Sequence, residues 1–99
     1  MTYLVVVSFD INNEKAGDYD HIYREMKNIG LGDRLADHEG KERELPTSTV
    51  AGTFKGSSAK NVRNDICTRV GGVFRNGNIK GKIFISVGRD WVWGVRNAR

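Results

Sequence analysis

Apolar residues follow one another almost without a break along Tyr3–Ile11, a run of Tyr-Leu-Val-Val-Val-Ser-Phe that stops at Asp10. It is too short to cross a membrane and rich in β-branched residues, so it predicts a strand buried on both faces. Tyr3, Val5, Val7 and Phe9 fall on one side, and Leu4, Val6, Ser8 and Asp10 on the other. The period then changes. Tyr19, Ile22, Tyr23, Met26 and Ile29 recur at helical spacing. Asp18 or Asp20 is placed to cap that helix and Gly30 to end it. Thr47–Phe54 returns to strand character, with Val50 and Phe54 on one face and Gly52 demanding a bulge or a close backbone approach. Gly56-Ser57-Ser58 supplies a turn and cap. Ala59, Val62, Ile66 and Val70 form the stripe of a second helix, with Cys67 beside it and Gly71-Gly72 as its stop. Asn76-Gly77-Asn78 signals a turn. Lys82–Val87 predicts another buried strand, and Trp91–Val95 a last short one.

Leu31–Pro46 is the stretch without a clear period. Charged residues dominate it, Pro46 disfavours a regular ladder at its end, and it predicts either an irregular edge strand around Arg43–Leu45 or a mobile loop. The element order is strand, helix, doubtful strand, strand, helix, strand, short strand. This is the split β-α-β order of an α+β, ferredoxin-like βαββαβ sandwich: two helices on one sheet face and a short extra C-terminal strand, in a single domain over residues 1–99. The second sheet face then needs cover. A second copy of the chain, with Trp91–Val95 pairing across the dimer, is the expected cover.

Charge changes this picture by its distribution. The net charge is +4, yet from Lys55 onward only Asp65 and Asp90 stand against ten bases: Lys55, Lys60, Arg63, Arg69, Arg75, Lys80, Lys82, Arg89, Arg96 and Arg99. A basic C-terminal half suits phosphate contact, and solvated bases kept for solubility are the plainer alternative. Lys60, Arg63, Arg89 and Arg96 are the candidate nucleic-acid contacts. Trp91 and Trp93, two apart, suit interface packing first and base stacking second. The lone Cys67 has no disulfide partner and reads as a small buried thiol. No Cys-x-x-Cys pair, nucleophile elbow or phosphate loop is present, and His21 and His38 read as solvated. With no signal-type segment and no membrane span, a cytoplasmic location is expected.

Asp10 is the candidate site residue, because a carboxylate ending a central strand is costly unless solvated, paired or bound to a cation. The turn-opening role ordinary for Asp is the alternative. The segments Tyr3–Ile11, Asp18-Tyr19-Asp20, Ser48-Thr49-Val50, Ser58–Ile66 and Lys82–Val87 followed by tryptophans resemble SinR-like small ferredoxin-fold proteins. That group looks related to the small CRISPR adaptation subunit and to virulence-associated protein D. The resemblance implies a homodimer that binds DNA or RNA, with Asp10 as the metal ligand and catalytic residue of a magnesium-dependent nuclease. A non-catalytic interaction factor of phage or mobile-element origin, contacting a host protein through Asp33–Glu44, is the alternative.

Overall fold

The computed structural model describes residues 1–98, so Arg99, one of the ten bases, lies outside the described residues. The elements are β1 (Thr2–Ile11), α1 (Asp18–Asn28), β2 (Arg34–Ala36), β3 (Glu42–Glu44), β4 (Thr49–Lys55), α2 (Ala59–Asn76) and β5 (Gly81–Gly88). The architecture is mixed α+β. β1 is the centre of a three-stranded antiparallel sheet ordered β4-β1-β5, and β2 and β3 form a separate two-stranded antiparallel sheet. No helix among the described residues is long and apolar enough to cross a membrane.

The alternation in β1 decides the layering. Tyr3, Val5, Val7 and Phe9 are buried in one cluster with Ile22 and Met26 of α1 and Val62, Ile66, Val70, Val73 and Phe74 of α2. Both helices therefore cover the odd-numbered face, and burying these side chains is the main stabilising term. Phe9 sits at the junction, its ring meeting those of Tyr19, Tyr23 and Phe74 at centroid distances of 6.0, 6.0 and 5.8 Å. Gly52 meets its expectation of a close approach: a Cβ there would collide with the carbonyl oxygen of Gly30.

Several expectations need correction. The Gly71-Gly72 pair does not stop α2. The helix continues to Asn76 because Val73 and Phe74 extend its buried stripe, which outweighs the roughly 1 kcal/mol that each glycine costs in a helix. Cys67 is exposed, since it lies about a hundred degrees around the helix from Ile66. Asp18 does not cap α1 with its side chain. Gly17 occupies the cap position, and the Asp18 carboxylate, 9% exposed, accepts a hydrogen bond from Lys15 N at 2.9 Å. His21 is half-buried rather than solvated, and its Nε2–H donates to the Val73 carbonyl at 3.0 Å, tying α1 to α2.

The strand expected around Arg43–Leu45 is present as β3, paired with β2, whereas the tail differs from its expectation. The charged stretch forms the β2–β3 hairpin. Its turn is held by Asp37, whose Oδ1 accepts from the backbone N–H groups of Glu39 (3.0 Å) and Lys41 (2.9 Å) while Arg43 pairs with Oδ2 at 3.6 Å. The Lys41 N–H does most to hold the Asp37 carboxyl below its ordinary range; burial opposes it, and the Glu39 N–H and Arg43 add to the lowering. The Gly32–Ala51 bridge joins the start of this segment to β4. Trp91–Val95, expected as a strand, carries no regular secondary structure. It leaves β5 at Gly88, whose β1 neighbour is Leu4, and lines a concavity with the β2–β3 hairpin on the far side of β4.

Candidate functional site

The even-numbered face of the sheet carries no helix, and its two ends differ. Leu4 and Ala51 point to this face, yet are only 8% and 3% exposed. At the other end Asp10 and Lys82 are exposed, and Phe84, in mid-strand, is 63% exposed.

The pairing register builds the open end. β1 outruns β4: the β1–β4 ladder ends at Ser8–Thr49, while the β1–β5 ladder continues through Asp10–Lys82 to Ile11–Gly81. Asp10 thus has a strand on one side and the Thr47–Ser48 turn on the other, which leaves its carboxylate in water. This removes the cost that a carboxylate in a central strand would carry. Phe84 stands beside Ser8, which stands beside Thr49. Ser8, Asp10, Thr47, Ser48, Thr49, Lys82 and Phe84 line one concavity of about 380 Å³. Although Lys82 faces Asp10 across the ladder, the two form no ion pair.

One wall of this concavity is fixed from the helix side. Ser48 has a positive φ of 66°, a conformation costly for a residue with a side chain. Three hydrogen bonds hold it there. Its N–H donates to Tyr23 Oη at 2.8 Å, its hydroxyl to Tyr19 Oη at 3.2 Å, and its carbonyl accepts from Phe9 N at 3.1 Å. The two tyrosine rings stack at 6.1 Å and 27°.

The other residues singled out in the sequence are dispersed. Lys60 and Arg63 lie on the exposed side of α2, across the sheet from Asp10, and Arg63 bonds Asn64 Oδ1 through Nη2 at 2.9 Å. Arg89 shares a concavity with Met1, Thr2, Asp90 and Trp91 at the closed end. Arg96 lines a concavity with Asp33, Glu44 and Thr47, which thus shares Thr47 with the Asp10 site. Lys82 and Phe84 were the residues that sequence reasoning did not single out. Their signal was the alternation in Lys82–Val87, but only the register shows that they flank Asp10.

The described residues hold no cluster of three or more His, Cys, Asp or Glu side chains that could hold a metal. One carboxylate facing an ammonium does not match the several oxygen ligands a magnesium ion takes. Hydroxyl donors, an ammonium, a carboxylate acceptor and an open aromatic ring instead suit a flat, polar, anionic ligand. A scan against protein-family models and a search of curated proteins both find no match for the chain.

Proposed function

We propose that the protein is a ferredoxin-like, nucleic-acid-binding protein whose contact surface is the open end of the helix-free sheet face. The strand order β4-β1-β5 with α1 and α2 on one side supports the ferredoxin-like reading, and the Gly32–Ala51 bridge stands where a fourth strand would begin. The observation that carries the binding reading is the grouping of Asp10, Lys82 and the Ser8, Thr47 and Thr49 hydroxyls in one concavity. Lys82 supplies a phosphate contact, with Arg96, in the concavity that shares Thr47, as a second. Hydroxyls donate to phosphate or sugar oxygens, and Asp10 accepts from exocyclic amino or ribose hydroxyl groups. The net charge of +4 favours approach of a polyanion.

The resemblance to SinR-like proteins points the same way and adds a homodimer and magnesium. In this reading those two go together. In the arrangement the resemblance implies, Asp10 of a second copy would supply the ligands that one chain lacks and the ion would offset phosphate charge, whereas the single-chain site proposed here takes nucleic acid without either. The donors of one chain do not fit the ion, so no cleavage step is assigned to Asp10.

Anisotropy of a labelled oligonucleotide tests the reading. Binding is expected at about 50 mM salt and a steep loss of it by about 200 mM, the mark of phosphate contacts. Lys82→Ala should weaken it, and Lys60→Ala should leave it near the parent value. Absence of binding at low salt to any DNA or RNA overturns the proposal. A second reading rests on the β2–β3 hairpin, a charged element outside the main sheet, as the contact surface for a protein partner. It predicts that hairpin substitutions abolish function while Lys82→Ala does not.

A further inference from the structure

Phe84 is exposed in a strand whose neighbouring residues are packed inward. Its strand neighbours Ile83 and Ile85 turn inward and pack against the core, while its own ring stands 63% exposed on the opposite face. Leaving a ring of this size in water forgoes the stabilisation that burying it would bring. The ring is surrounded by polar groups: Lys82 two residues before it on the same face, Ser86 two after it, and Ser8 directly across the ladder, with Thr49 and Asp10 completing the concavity.

Those neighbours discriminate between occupants. A second copy or an apolar protein surface covering Phe84 would also have to bury Asp10, Lys82 and the hydroxyls, which costs more than one ring returns unless every group finds a partner. A nucleotide has no such conflict. Its base offers a flat apolar face, and its phosphate and sugar offer partners for the ammonium and the hydroxyls. Resting on the binding reading above, we infer that Phe84 is a base-stacking platform, with Lys82 gripping the phosphate next to the stacked base. A base within a duplex keeps its faces against its neighbours, so the site takes an unpaired base and single strands bind in preference to duplexes.

Anisotropy with a fluorescein-labelled 12-mer of uridine, and with the same label on a 12-base-pair duplex, tests this in the full-length protein. The single strand is expected to bind at least about tenfold more tightly than the duplex. Phe84→Ala should weaken single-strand binding by about tenfold, and Phe84→Trp should keep it, because any large ring stacks. The dependence of affinity on salt should be the same for Phe84→Ala as for the parent, whereas Lys82→Ala should make it shallower, since only the lysine contacts phosphate. Circular dichroism of each variant confirms folding, and Phe84→Trp serves where the alanine variant fails. Equal binding of single strand and duplex, or parent-like binding by Phe84→Ala, overturns the stacking role while the binding reading stands. No binding to either probe overturns both. A parent dimer in sedimentation that Phe84→Ala splits into monomers overturns the inference by giving the ring to a second copy.

Discussion

The two ends of the helix-free sheet face are built from the same strands and behave differently. At one end Leu4 and Ala51 are buried. At the other, Asp10, Lys82 and Phe84 stay open around a concavity. The cause is register. Where β4 runs beside β1, Leu4 and Ala51 are buried. Where β1 outruns β4, the face has only a turn for a neighbour. The difference shows why alternation alone does not locate a site: both ends alternate, but only one is covered. It also narrows what a second copy is needed for. Leu4 and Ala51 are already buried within one chain, and the open end is polar apart from a single ring.

The sharpest way to break this contrast is to truncate one apolar side chain from each end. Leu4→Ala is expected to lose about 2 to 4 kcal/mol of stability in urea unfolding, as for a buried leucine. Phe84→Ala should change stability by less than about 0.5 kcal/mol, as for an exposed side chain. Equal losses would show that the two ends are not distinct. The next test concerns the wall of the open end. Tyr23→Phe removes the hydroxyl that accepts the Ser48 N–H and should cost about 1 kcal/mol. Its larger effect is expected in the amide resonances of Thr47–Thr49, which should broaden or shift while those near Leu4 stay in place. The smallest effect lies in the hairpin. The folded-state pKa of Asp37 is depressed, so its contribution to stability is present above the ordinary value of 3.8 and is lost as pH falls below it through the folded value. Backbone resonances of residues 37–43 should therefore move below about pH 4 in the parent. In Asp37→Asn the hairpin should be loosened at every pH and lack that acid step.

Much of the fold is legible in the sequence because burial follows period. Tyr3–Phe9 is an apolar run that becomes the central strand, and Ile22–Met26 and Val62–Ile66–Val70 repeat at helical spacing and become the packed helix faces. The misread places are those where a local signal opposes a non-local gain. Gly71-Gly72 looks like a helix stop, but Val73 and Phe74 bury themselves by continuing the helix. Trp91–Val95 alternates like a strand, but carries no regular secondary structure and lines a concavity with the β2–β3 hairpin instead. The turn of the hairpin hides in a charged run. Its one signal is Asp37 followed by Gly40, a turn in which the carboxylate caps two backbone N–H groups and the glycine takes a positive φ of 83°. At the candidate site Asp10 stood out because an acid ending an apolar strand needs a reason. Lys82 and Phe84 did not, since which residues face Asp10 is a matter of strand register and not of spacing along the chain.

Chemical-shift mapping with an unlabelled oligouridine on isotope-labelled protein tests the central claim most directly. The account predicts that the shifted amides gather at Ser8–Asp10, Thr47–Thr49 and Lys82–Phe84, with little change along the Lys60–Arg63 turn of α2 or beside Leu4. Shifts concentrated on α2, or spread evenly over the basic residues of the C-terminal half, would contradict it.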